Sequence, residues 1–307
     1  MGIYLPIAEI SANIIVLLAM GGAVGFLSGM LGIGGGFLIT PLLIFYNIPP
    51  AIAVATGANQ VVAASFTGAL AHFKRGTLDV KLGLVLLIGG ILGSGLGVYV
   101  YAILRHLGLL DLLVSVLYVV LLGAVGALML IESARTIRRA KGGASPELRR
   151  PGQHNWVHKL PLKMRFRTSK LFVSIIPVLG LGAIIGLLGS ILGIGGGFIM
   201  IPAMIYLLKV PTKVVVGTSL FQVVFVSSFN TIVHAMANQT VDVMLGLLLM
   251  IGSVAGAQYG ARVGQKLRGE QLRGLLALLV LAVAIRLALD LFVRPTDLFS
   301  LYLPEAS

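Results

Sequence analysis

The 307-residue sequence contains no cysteine, a single tryptophan and only ten acidic residues, and charged residues of both signs make up 11 % of it. Each scarcity excludes something. Without cysteine there are no disulfides, no thiolate metal sites and no haem attachment through CxxCH. Soluble domains carry roughly a quarter charged residues because their surfaces face water, so this chain does not belong among them. No acid falls deep within the first nine predicted membrane segments, and the motifs HExxH and GxSxG are missing. A divalent-metal carrier or a membrane-embedded enzyme would need such groups, so neither is expected, and no metal or cofactor is expected either. The N-terminus, MGIYLPIAEI, shows neither a basic segment nor a small-residue cleavage site, so the first span is expected to stay as the insertion signal.

What is abundant is apolar sequence. Hydrophobic residues reach 58 % and the mean hydropathy is +1.03. Ile14–Met30, Leu82–Leu104, Leu107–Ile131, Leu171–Leu192, Val241–Val263 and Leu272–Ala288 approach or exceed the ~18 apolar residues that cross a bilayer as helix. These runs predict an all-α polytopic protein of the cell membrane. The net charge of +13 points to membrane topology here, not to nucleic acid. Eleven basic residues crowd between Arg135 and Lys170, among the loop signals Gly142-Gly143, Ser145-Pro146 and Pro151-Gly152. The positive-inside rule makes this linker cytoplasmic. Lys74, Arg75, Lys81 and Arg262 then also fall inside, while Tyr46–Pro50 and Ala237–Thr240, which lack Lys and Arg, fall outside. Composition thus divides the chain into a first transmembrane repeat (1–133), the linker (134–170), a second repeat (171–293) and a tail (294–307).

The two membrane halves are copies. LGIGGGFLITP at Leu31–Pro41 matches LGIGGGFIMIP at Leu192–Pro202, and Pro50 matches Pro211. With single insertions, Gln60 matches Gln222, His72 matches His234, Asp79 matches Asp242, and IGGILGSGLG (Ile88–Gly97) matches IGSVAGAQYG (Ile251–Gly260). The sidedness above requires an odd number of crossings per half, about five segments each, and therefore inverted repeats of the kind found in secondary transporters.

Phe37–Asn47 and Phe198–Leu208 are apolar segments of about half a bilayer's length, each bounded by glycines before and proline after. Short, Gly/Pro-interrupted segments in corresponding places are the sequence mark of a transport site. Whether they cross or re-enter, the sequence leaves open. Consecutive glycines bare the backbone N–H groups, and at a helix start those groups face an anion along the positive end of the dipole. The expected site is Gly34, Gly35 and Gly36 with Gly195, Gly196 and Gly197 near the membrane midplane, joined by the polar groups Thr56, Asn59, Gln60, Thr218, Ser219 and Gln222. Ser65, Thr67, Ser227, Ser228 and Asn230 extend a polar path. Leucine at Gly35 or Gly196 should abolish flux. A dinucleotide reading fails, since no strand precedes GIGGGF and no βαβ unit follows.

The remaining glycines, at spacing of four in Gly21/Gly25/Gly29, Gly89/Gly93/Gly97 and Gly252/Gly256/Gly260, predict close helix packing. His72 and His234 close the third segment of each half; they are candidates for proton coupling, with interfacial anchoring as the plainer role. Asp79 and Asp242 are expected as helix caps, and Arg286 with Asp290 as a pair one turn apart.

These motifs resemble the TauE/SafE-type sulfite exporter family, the TSUP permeases: the doubled LGIGGGF[LI]xxP, the polar Thr-Gly or Gly-Thr segment, and the later GxxxGxxxG helix. The resemblance covers roughly residues 14–130 and 174–290. It implies transport of a small sulfur-containing anion, sulfite or an organosulfonate such as sulfoacetate, or thiosulfate, through a lipid bilayer. The first half departs from the usual pattern, with Thr56-Gly57-Ala58 where the second has Gly217-Thr218-Ser219. An anion channel built from the same loops is the alternative.

Overall fold

The structure is a computed structural model that describes residues 2–31, 33–141, 162–166, 168–169, 171–208, 210–264 and 269–293. The tail at 294–307, most of the linker (142–161) and Gly32 lie outside the described residues. The chain runs β1 (Gly2–Leu5), β2 (Ile10–Asn13), α1 (Ile14–Leu31), α2 (Gly36–Phe45), α3 (Pro50–Lys74), α4 (Val80–His106) and α5 (Leu110–Lys141). The second half repeats this order: β3 (Lys163–Phe166), β4 (Leu171–Ser174), α6 (Ile175–Leu192), α7 (Gly197–Tyr206), α8 (Thr212–Val233), α9 (Val243–Gly264) and α10 (Gly269–Val293), with a π-helical turn at His234–Asn238 after α8.

Among the described residues, five helical stretches are long and apolar enough to span a membrane: Val80–His106, Leu110–Ile131, Ile175–Leu192, Val214–Asn238 and Val243–Val263. Leu92, Tyr99, Leu112, Ile184 and Ile251 stand exposed on their outer faces, which in a multi-pass membrane protein is the lipid-facing surface.

Two hairpins add to the helical reading. β1 pairs antiparallel with β2 from Gly2↔Asn13 to Leu5↔Ile10, and β3 with β4 from Lys163↔Ser174 to Phe166↔Leu171. Thus β3 falls within the stretch assigned to the linker, and Leu171–Ser174, read as the start of a membrane helix, is a strand. The hairpins hold because each buries one apolar residue at its closed end, Leu5 and Phe166. Ser174 then caps α6, its Oγ accepting from Ile176 N at 3.3 Å.

Every major helix packs on a helix of the other half: α1 on α9, α4 on α6, α3 on α8 and α5 on α10. Exchanging each element with its counterpart leaves this pattern unchanged. The α1–α9 and α4–α6 pairs touch backbone to backbone, as the glycine spacing predicts. A Cβ on Gly21 or Gly25 would strike the Leu249 or Ser253 backbone, and one on Gly89 or Gly93 would strike Leu179 or Ala183. The halves are therefore interlocked, with α2 and the start of α7 buried at the centre; Phe37, Leu38, Ile39, Leu43 and Phe198 belong to the buried core.

Candidate functional site

α2 and α7 are each ten residues long, with Pro41 and Pro202 inside them. At 1.5 Å per residue each is about 15 Å, half the hydrocarbon thickness. Both start at a glycine in the left-handed region, Gly35 at φ 74° and Gly196 at φ 79°, where a side chain would be strained. Neither start receives a side-chain cap. The first N–H groups of a helix have no partner one turn earlier within it; Leu38 N and Ile199 N bond back to the cap carbonyls of Gly35 and Gly196 at 3.2 Å, and the positive ends of two dipoles lie at these starts.

The two starts meet. Phe37 and Phe198 stack with centroids 4.6 Å apart and rings 15° from parallel. A Cβ on Gly36 would stand 2.6 Å from Ile194 O, and one on Gly197 would strike Ile33 O. Only glycine permits that approach. Gly34–Gly36 and Gly195–Gly197 are all buried.

Helices α3 and α8 supply the side chains around the loops. On α3, Val61 and Ser65 are four residues apart and share a face; Val223 and Ser227 do the same on α8. A Cβ on Gly34 would lie 2.8 Å from Ser65 Oγ, and one on Gly195 would lie 2.5 Å from Ser227 Oγ. Both hydroxyls are fully buried and without a hydrogen-bond partner.

The glutamines occupy the neighbouring faces. Gln60 Nε2 donates to Ser253 Oγ on α9 at 2.9 Å, leaving its Oε1 unbonded. Its counterpart Gln222 faces Gly90, the residue that matches Ser253, and a Cβ there would sit 2.7 Å from Gln222 Nε2. With no hydroxyl at Gly90, neither amide atom of Gln222 finds a partner, although the side chain is 0 % exposed. Unbonded buried amides cost a few kcal/mol. Gln222, Ser65 and Ser227 are the strongest chemical marks of a site in this interior.

The other predicted residues stand apart from the loops. Thr56 Oγ1 accepts from Asp242 N at 3.0 Å, and Thr218 Oγ1 accepts from Asp79 N at 3.1 Å. Ser219 Oγ donates to Val216 O at 3.0 Å within its own helix. Asn59 faces Gly246 near the start of α9. These four surround the helix starts at Asp79 and Asp242.

The two aspartates do more than the expected capping. Asp79 Oδ1 accepts from Leu82 N at 3.2 Å, while its Oδ2 accepts from Ser169 N at 2.9 Å and Ser169 Oγ at 2.7 Å. Asp242 Oδ1 accepts from Leu245 N at 3.0 Å, and its Oδ2 accepts from Ile7 N at 3.1 Å. Each aspartate thus ties the hairpin turn of the other half to its own helix. The cap is legible in sequence; the hairpin that completes it is not.

The two histidines differ. His72 Nδ1 pairs with Thr77 Oγ1 at 2.9 Å, and the side chain is partly exposed. His234 is buried, with Nε2 3.2 Å from Ser190 O, Nδ1 3.1 Å from Asn238 Nδ2, and its ring edge-on to Tyr101 at 4.6 Å. Beside His234, Ser94 Oγ donates to Asn230 Oδ1. Near the His72 end, a cavity of about 310 Å³ opens between α1, α3 and α9.

The family model described as "Sulfite exporter TauE/SafE" matches residues 17–287. The chain is 26 % identical over 293 residues to "Probable membrane transporter protein YunE" of Bacillus subtilis, covering 90 % of this chain and 97 % of that one. It is 28 % identical over 277 residues to a "Probable membrane transporter protein" of Xylella fastidiosa, covering 89 % and 94 %. A protein of the same description from Methanocaldococcus jannaschii is 25 % identical over 276 residues, covering 85 % and 90 %. No solved structure matches the chain.

Proposed function

Because the chain belongs to the sulfite exporter TauE/SafE family, we propose that it is a secondary transporter carrying a small sulfur-containing anion, sulfite or an organosulfonate such as sulfoacetate, through the cell membrane. The observation that carries this reading is the pair of unbonded hydroxyls beside the two glycine loops, Ser65 and Ser227, with the unbonded Gln222 amide on α8 opposite Gly90. Hydroxyl and amide donors with the positive ends of the α2 and α7 dipoles suit an oxyanion, whose oxygens accept several hydrogen bonds at once. Among the described residues no cation is bonded to these groups, which suits a ligand that must also leave.

Gly36 and Gly197 press against the opposite loop in this conformation, so holding the anion between the loops requires them to part. The interlocked packing favours the α1–α9 and α4–α6 pairs as the bodies that move, rather than the sequence halves. Alternation follows when one pair tilts against the other about the α3–α8 contact. The histidines keep a coupling role only as candidates.

Purified protein in proteoliposomes, offered sulfite, thiosulfate, sulfoacetate and taurine with and without a pH gradient, tests this directly. Gradient-driven accumulation of a sulfur oxyanion or sulfonate is expected. Flux that no gradient drives uphill would make the protein a channel, and no flux of any of the four would refute the substrate class. Leucine at Gly35 or Gly196 is a blunt probe, because a Cβ there also crowds Ser28 or Ile185. Removal of the Ser65 and Ser227 hydroxyls is cleaner.

A further inference from the structure

The two halves match in element order but differ in their side chains at the two ends of the α3–α8 contact. At the His72 end, Gly29, Thr67, Gly68, Ala257, Gln258 and Arg262 line the cavity of about 310 Å³. The repeat alignment places Ser190 where the first half has Gly29, Asn230 where it has Gly68, and Ser94 where the second half has Ala257. Tyr101 likewise matches Gly264. At each of these four positions the His72 end carries the small residue and the His234 end the larger, polar one.

Of these, Ser94 and Asn230 bond to each other, Ser190 Oγ bonds to Leu187 O in its own helix, and His234 joins the cluster through the Ser190 backbone carbonyl. Ser94 donates to Asn230, His234 Nε2 lies 3.2 Å from Ser190 O, and Tyr101 packs edge-on to His234 while donating to Ala51 O at 2.9 Å. Ser94, Ser190, Asn230 and His234 are all at most 1 % exposed. The place that corresponds to the cavity is filled with a hydrogen-bonded plug that ties α4, α6 and α8 together. At the open end, His72 turns instead to Thr77 on its own side.

We propose that the cavity is the access vestibule for the transported anion and that the Ser94–Asn230–His234–Ser190 cluster is the closed gate of the opposite face. Arg262 gives the vestibule its positive charge, from the last turn of α9. By the positive-inside count this mouth lies on the face of the basic linker, so the structure is open to the cytoplasm and sealed outside. The asymmetry is written in side chains, so it sets a resting preference for this state: opening the outer face must break the bonds of the plug, whereas the vestibule has no counterpart to break. This assignment rests on the transporter reading for its ligand, but its geometry is tested without any ligand.

The natural absence of cysteine makes single-cysteine reporters clean. Ala71→Cys lines the vestibule, and Ser227→Cys lies fully buried on α8, one turn inward of Asn230 and so behind the plug as seen from the outer face. A membrane-impermeant maleimide should label Ala71→Cys from the linker face and leave Ser227→Cys unreacted from the other. Converting the plug to its counterpart residues, with Ser94→Ala and Asn230→Gly, should raise Ser227→Cys labelling from the outer face roughly fivefold or more and slow Ala71→Cys labelling. If that pair does not fold, Asn230→Ala alone should give the same shift. Unchanged labelling in whichever of these variants folds, or an Ala71→Cys that reacts only from the outer face, would overturn the proposal. The labelling pattern with no flux of sulfur anions would leave the gate standing and the substrate reading refuted; flux with a reversed pattern would do the opposite.

Discussion

Gln60 donates to Ser253 across the α3–α9 contact at 2.9 Å, and the matching pair across α8–α4, Gln222 and Gly90, has no such bond. One half spends its glutamine on structure and the other keeps it unbonded in the interior. The two residues should therefore respond differently to the same change. Gln60→Met strands the Ser253 hydroxyl and should lower stability by about 1 kcal/mol. Gln222→Met removes two unsatisfied buried atoms and should leave stability unchanged or slightly raised while transport falls about tenfold or more. Thermal unfolding and flux measured on the same preparations separate the two.

The aspartate ties should be among the costliest single losses. Asp79→Ala removes a helix cap and two bonds to Ser169, and a loss of about 2–4 kcal/mol is expected from the cap and the charge-assisted bonds. Asp242→Ala removes the cap and one bond to Ile7, so its cost should be smaller. Limited proteolysis would show each hairpin released by the loss of the aspartate in the opposite half: β3–β4 by Asp79→Ala, β1–β2 by Asp242→Ala. Equal costs, or release of the hairpin in the same half, would contradict the crossed arrangement.

Glycines on α4 divide by what stands opposite them. A Cβ on Gly93 meets the Ala183 backbone, whereas one on Gly95 meets nothing within 4 Å. Gly93→Ala should destabilise by about 1–3 kcal/mol, since backbone cannot yield as a side chain can. Gly95→Ala should be neutral or stabilising by up to about 1 kcal/mol through helix propensity. Unfolding temperatures of the two variants in one detergent check this.

Much of this was legible before any coordinates. The glycine spacing marked α1, α4 and α9 as closely packed helices, because close approach permits nothing larger, but not which helices they meet. The doubled GIGGGF and the flanking prolines marked α2 and α7 to within two residues of their ends, since Gly35, Gly196, Pro49 and Pro211 act through their own backbone. The hairpins were not legible: each strand is only four residues, and Leu171–Ser174 runs into an apolar helix without a break. Nor was the partner of Asp79, because Ser169 lies within the basic linker and its role depends on a turn from the other half. Gln60 and Gln222 looked equivalent in the repeat. What separates them is Ser253 against Gly90, a difference visible in the alignment but meaningless until α4 and α9 are placed beside α8 and α3. The same holds for Ser94 and Ala257 at the two ends.

Binding of radiolabelled sulfite to the purified protein, compared with the Ser65→Ala/Ser227→Ala double variant, is the most direct test of the interior site. Both hydroxyls are unbonded, so their removal should leave the unfolding temperature unchanged and weaken binding by about tenfold or more. Undiminished binding by a folded double variant would contradict the account.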